Sequence, residues 1–172
     1  MTPEPPGRRR SGPSSFQPGL ATIVWNALGL KAGNVFVDLG CGPGDYALDA
    51  ATRVGPHGAV LALDTWKRVL GELHADAQRA DLTIVLPVCA DIAAALPVAA
   101  HRVDACLLAM VLHMPGRTAH LDLMLDEARR MLKPGGRLGI LEHAGNDQLP
   151  EGHPARRLTP EWFTTAAENH GF

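Results

Sequence analysis

Five continuous apolar runs, each set off from the next by a helical pattern, constrain this chain more than any other feature. They are "NVFVDLG", "AVLALD", "LTIVLPV", "RVDACLLAMV" and "RLGILEH". Strands that are apolar on both faces belong in a parallel sheet covered on both sides, and the right-handed crossover rule leaves few ways to wind one. The intervening segments supply the cover. Asp45 to about Val54 reads as a helix, and Trp66, Val69, Leu70, Leu73 and Ala77 mark one face of another. A short helix is expected near Ile92 to Leu96. Thr118 is placed to cap a helix whose inner face is Leu121, Met124, Leu125, Ala128, Met131 and Leu132. "KPGG" turns the chain into the fifth strand, and a last helix starts near Thr159-Pro160. A further helix, with Pro18 in its first turn, precedes the first strand. The expected fold class is α/β, a doubly wound, mainly parallel sheet with helices on both faces.

At 172 residues the chain has the length of one domain, and 46% hydrophobic residues suffice for a full core. The first 15 residues hold four prolines, three arginines and three serines; they are expected to form a flexible arm, with residues 16–172 as the single domain. A net charge of -2 with no basic field argues against nucleic acid as a partner. The longest apolar run, Val103 to Met114, contains Asp104 and His113 and is too short to span a bilayer. Arg8-Arg9-Arg10 lacks the apolar segment of an export signal, so a cytoplasmic location is expected.

The loop "FVDLGCGPGDY" after the first strand carries the chemistry. In such sheets a ligand lies beyond the carboxyl ends of the strands, where strand order reverses. Glycines at Gly40, Gly42 and Gly44 give G-x-G-x-G, and Asp45 stands where the third glycine of a dinucleotide loop would be. Asp45 and, at the strand tip, Asp38 would oppose a pyrophosphate; like charges about 4 Å apart cost on the order of several kcal/mol at an effective dielectric near 20. A cationic ligand without phosphate reverses that sign, so a nicotinamide dehydrogenase ranks last among the readings.

"VDLGCGPGDY" resembles the first motif of class I S-adenosylmethionine-dependent methyltransferases, and four more motifs follow in order: "ALDTW", "VCADI", "VDACLLAMVLHM" and "ARRMLKPGGRLGILEH". "HPARRLTPEWFTTAAENHGF" is similar to the closing helix of that family's small-molecule, quinone-biosynthesis-like branch. The resemblance implies a Rossmann-like sheet of strand order 3-2-1-4-5 and S-adenosylmethionine as cofactor. It implies cofactor contacts at Asp38, Gly40, Cys41, Gly42 and Gly44. Asp64 would hold the ribose hydroxyls and Asp91 the adenine amino group, with Ile92 packed on the ring. Thr65 and Trp66 compete to flank the adenine, although the helical stripe points Trp66 to the core. Ala109, closing strand four, completes the cofactor set.

The reaction implied is in-line methyl transfer to a small-molecule acceptor. His113, Glu142 and His143 are the candidate catalytic groups, and His113 is the first choice because its position commonly faces the acceptor in that family. The alternative is a non-catalytic module that binds S-adenosylmethionine or S-adenosylhomocysteine and serves a protein partner. No metal site is expected: the eight histidines show no HxxxH or HExxH spacing. Cys89 and Cys106 would lie three strands apart, about 14 Å, too far to share an ion. Family members usually add an antiparallel hairpin beside strand five. This chain stops at Gly171-Phe172, which would leave that strand as a bare edge. A dimer across it, cover by the N-terminal arm and a shortened form of the fold are the alternatives, and self-association of two copies is the one expected.

Overall fold

The structure, a computed structural model, describes residues 14–114, 116–143 and 158–172. Most of the arm expected over residues 1–15 lies outside the described residues. The elements run α1 (Pro18–Leu28), β1 (Val35–Leu39), α2 (Asp45–Val54), β2 (Ala59–Asp64), α3 (Lys67–Arg79), β3 (Val85–Cys89), β4 (Val103–Ala109), a 3-10 turn (Arg117–His120), α4 (Leu121–Met131), β5 (Leu132–Leu141) and α5 (Pro160–Asn169). The five strands form one parallel sheet of order β3-β2-β1-β4-β5, as expected.

Alternation along each central strand divides the core into two layers. Phe36 on β1 and Ala105 and Leu107 on β4 face α1, α2 and α3. Val37 and Leu39 with Cys106 and Leu108 face the other way, onto Met124, Leu125 and Ala128 of α4, with Trp162 and Phe163 of α5 at the margin. Asp38 alone breaks the apolar pattern of β1. At the start of β5, Val103 pairs with Leu132 but Ala105 with Arg137, so Lys133–Gly136 bulge out of register. Pro134 has no N–H to give the ladder and Gly135 takes φ +78°, which explains the bulge.

Three local expectations need correction. No helix forms over Ile92–Leu96. Asp91 takes the N–H of Ala93 on its side chain and that of Ala94 on its carbonyl, closing a turn instead. Glu127 then accepts the Leu96 N–H at 2.7 Å, and Arg130 reaches the carbonyls of Leu96 and Val98 at 3.2 and 2.7 Å. That clamp from α4 takes up backbone groups that a helix would have paired, and Pro97 bars continuation. Thr118 does not cap α4: it lies inside the 3-10 turn, and the helix begins at Leu121 after His120. Trp66 is not in the core. It precedes α3 as its N-terminal flanking residue and is 60% exposed.

Candidate active site

A cavity of about 720 Å³ opens at the carboxyl ends of β1, β2 and β4, where the strand order reverses between β1 and β4. Its β1–β2 side is built from backbone. Gly40 and Cys41 both donate their N–H groups to the carbonyl of Leu63, at 2.8 and 2.9 Å, tying the loop to β2. Gly40, Gly42 and Gly44 all have positive φ, at 77°, 49° and 78°. Their surroundings differ. A Cβ on Gly40 would come within 2.7 Å of Val111, and one on Gly44 within 2.4 Å of Leu73. A Cβ on Gly42 would meet none of the described residues within 4 Å, because that glycine faces the open cavity.

Two carboxylates stand on this side. Asp64 accepts the Gly42 N–H at 2.9 Å and the Trp66 N–H at 2.9 Å, which joins the loop to the start of α3. Asp38 is 2% exposed, and among the described residues its Oδ2 has no hydrogen-bond partner. Burial, then the nearby Asp64 charge, pushes its carboxyl up to about 7; the Ala47 N–H works against this and Asp45 adds to it. Tyr46 also lines the cavity, with its hydroxyl buried beside Ser15. Cys41 lines the cavity too, but burial and the Asp38 and Asp64 charges drive its thiol far upward, so it is a packing group rather than a nucleophile.

Side chains shape the β4–β5 side. Met110 takes a left-handed φ of 56°, rare for a residue with a side chain, and its N–H is held by the Leu141 carbonyl at 2.7 Å. Val111, His113, Met114, Arg117 and His143 line the same wall. The rings of His113 and His143 meet edge to face, with centroids 5.8 Å apart. Glu142 stands behind them. Its side chain is 2% exposed, and it takes the N–H groups of Leu112, His113 and His143 at 2.8, 3.2 and 3.0 Å. It also lies 2.9 Å from Nδ1 of His113.

Of the residues singled out in the sequence, Asp38, Gly40, Cys41, Gly42, Asp64, Thr65, Trp66, Ile92, Ala109, His113 and His143 line this one cavity. Gly44, Asp91 and Glu142 do not. Gly44 packs on Leu73 at the head of α2. Asp91 turns to Arg117, 3.1 Å away, at the cavity's mouth. Hydrogen bonding to Ala93 and Arg117 keeps its carboxyl below the usual range. Glu142 faces backbone N–H groups rather than the cavity. Sequence reasoning had not assigned Ser14, Ser15, Pro43, Tyr46, Ala90, Met110, Val111, Met114 or Arg117 to the wall. Tyr46 could have been found, since a residue in the first turn after a glycine loop is carried back toward the loop. Met110 left no signal, because its turn conformation is not one that its residue type announces. Among the described residues, no cluster of three or more His, Cys, Asp or Glu side chains is arranged to hold a metal ion. No helix among them is long and apolar enough to cross a membrane.

Comparison with known proteins places the fold and loop in a family. A family model described as a methyltransferase domain matches residues 36–136. The chain is 31% identical to demethylmenaquinone methyltransferase of Lactobacillus johnsonii over 73% of this chain and 50% of that protein. It is 40% identical to ribosomal RNA large subunit methyltransferase E of an Azoarcus species over 62% of this chain and 54% of that one. A solved S-adenosylmethionine-dependent methyltransferase from Aquifex aeolicus superimposes with a TM-score of 0.72 at 24% identity, over 88% of this chain and 78% of that one. The chain belongs to the class I S-adenosylmethionine-dependent methyltransferase family. It spans about half the length of these curated relatives.

Proposed function

We propose that the cavity binds S-adenosylmethionine along its β1–β2 side and presents a small-molecule acceptor from its β4–β5 side for methyl transfer. One observation carries this reading: Asp38 lines a cavity whose floor is open at Gly42, and its buried Oδ2 has no partner among the described residues. A buried carboxylate left unpaired is costly, and a ligand bringing cationic groups relieves that cost. The residues present therefore fit S-adenosylmethionine, which supplies a methyl group on a positively charged sulfur. Asp38 and Asp64 would hold its charged and hydroxylated parts, with Thr65, Trp66 and Ile92 around the adenine. Asp91, turned to Arg117, would help to close the mouth.

The chain's own contribution is to align donor and acceptor and to keep water out, and orientation can supply about 7–11 kcal/mol of barrier lowering. Met110, Val111 and Met114 give the acceptor an apolar wall, which suits a small or lipid-like molecule, as does the similarity to a demethylmenaquinone methyltransferase. The similarity to a ribosomal RNA methyltransferase makes nucleic acid the acceptor to test against it. We also carry as proposals a cytoplasmic location, a single domain over residues 16–172, and a homodimer through β5, the outermost strand of the described sheet on that side. Sedimentation as a monomer would remove the dimer.

Calorimetric titration with S-adenosylmethionine, S-adenosylhomocysteine and NAD tests the reading. The expected result is micromolar binding of the first two and none of NAD. Absence of all three would overturn it.

A further inference from the structure

We propose that Glu142 is a positioning residue that fixes the tautomer of His113, leaving Nε2 as an unprotonated acceptor in the cavity, and that the methyl acceptor carries its nucleophile as a hydroxyl, phenol or enol. This rests on the cofactor reading above and adds the class of acceptor to it.

The geometry places a proton on Nδ1. Oε2 of Glu142 accepts from the N–H groups of Leu112 and His113, and Oε1 accepts from the N–H of His143 and faces His113 Nδ1 at 2.9 Å. A carboxylate is acceptor-only, so the Nδ1 contact is a hydrogen bond only if Nδ1 carries the proton. A neutral imidazole protonated on Nδ1 presents a lone pair on Nε2. That ring lines the cavity and stays 35% exposed, whereas the Glu142 side chain behind it is 2% exposed. The order is cavity, imidazole, buried carboxylate, which is the arrangement by which an acid orients a histidine base without itself meeting the substrate.

A base at that place has work to do only if the acceptor must lose a proton. The acceptor's O–H proton passes to Nε2, and the electron pair of that bond is released into the acceptor. The acceptor's oxygen or conjugated carbon bonds the methyl carbon while the carbon–sulfur pair stays on sulfur. The imidazolium then returns its proton to water. An amine that already offers a free lone pair would gain little from this pair of residues.

Glu142→Gln tests the proposal because hydrogen-bond counting predicts what it does. If the amide NH2 replaced Oε2 it would oppose two backbone donors; in place of Oε1 it opposes only the His143 N–H. The amide therefore turns its NH2 toward His113 Nδ1, which must then accept, and the proton moves to Nε2. Ring-nitrogen NMR on the full chain, with and without S-adenosylhomocysteine, reads this directly, with His113→Asn identifying the signal. The wild type is expected as the Nδ1–H tautomer and Glu142→Gln as the Nε2–H tautomer, with S-adenosylhomocysteine affinity within about twofold. With a hydroxylated acceptor, kcat falls on the order of 10²–10³-fold at similar KM. An Nε2–H tautomer in the wild type, or the same tautomer in both proteins, overturns the proposal. The wild-type result decides alone should the variant not fold. Failure of S-adenosylhomocysteine to bind would instead refute the cofactor reading, since the tautomer is also read in the ligand-free chain.

Discussion

The β1–β2 side of the cavity is shaped mainly by backbone, with glycines in left-handed turns and N–H groups on the Leu63 carbonyl, and two acidic side chains, Asp38 and Asp64, stand at its strand tips. On the β4–β5 side, side chains do the shaping, with Glu142 gathering three backbone N–H groups and an imidazole around one buried carboxylate. A backbone site tolerates few residue types, so it serves one ligand. A side-chain site can be rebuilt by substitution. The proposed reading follows this division, with the cofactor on the first half and the acceptor on the second.

If that contrast holds, the largest effects of substitution fall on the backbone half. Gly44→Ala is expected to cost about 2–4 kcal/mol, from left-handed strain together with displacement of Leu73. Leu73 is fully buried, and the new Cβ would lie 2.4 Å from it. Urea unfolding measures the loss, and a change below about 0.5 kcal/mol would show that the turn is not rigid.

Asp38→Asn comes next, and its sign is opposite. The folded carboxyl is raised to about 7 from 3.8, so the folded chain holds a proton that the unfolded chain releases. That stability is fully present below the unfolded value and is lost as pH rises toward about 7. The variant escapes the loss. Above that window it is expected to be more stable than wild type by on the order of a few kcal/mol, while binding S-adenosylhomocysteine more weakly. Wild-type affinity for the same ligand should rise with pH over this window and the variant's should not. Parallel stability profiles for the two proteins would mean that Asp38 is paired in solution.

Gly42→Ala follows, at about 1 kcal/mol of stability from its left-handed backbone alone. Its Cβ meets no atom of the described residues, so the larger effect is on the ligand, with S-adenosylhomocysteine affinity expected to fall tenfold or more. Unchanged affinity would place the ligand away from the loop.

The same contrast explains what could be read in the sequence. The glycine loop and Asp38 were legible because a left-handed loop after a strand demands particular residue types at fixed spacing, while Asp64 came through the family resemblance. A doubly wound parallel sheet followed from apolar runs that have to be covered on both faces, while its strand order came from the family resemblance. The β4–β5 half was legible only as a set of candidates. Glu142 and His113 are 29 positions apart, and nothing local says that one stands behind the other. Trp66 fitted the apolar stripe of α3 by spacing, yet it sits one residue before the helix, where that periodicity no longer governs. The missing helix at Ile92–Leu96 was decided by Glu127 and Arg130, two side chains on a distant element.

The smallest effect belongs to the latch on α5, and it tests whether the two halves are independent. Both ring nitrogens of His170 face carboxylates, Nδ1 to Asp126 at 2.7 Å and Nε2 to Asp122 at 3.1 Å. Only the imidazolium can donate to both. Hydrogen bonding to Asp126 first, and then to Asp122, raises the pKa of His170 above its ordinary value. The latch is therefore fully made below about pH 6.5 and is lost as pH rises through the raised value. Because the aspartates are exposed, His170→Ala is expected to cost no more than about 1 kcal/mol in mild acid, falling toward zero in alkali. The latch ties down α5, whose Trp162 and Phe163 pack against the layer containing Leu138 and Ile140 of β5. Loosening it should speed hydrogen exchange in α5 and leave S-adenosylhomocysteine affinity unchanged. If affinity in the Asp38→Asn background still tracks the titration of His170, then the β4–β5 wall and the β1–β2 floor move together, and the division drawn between them fails.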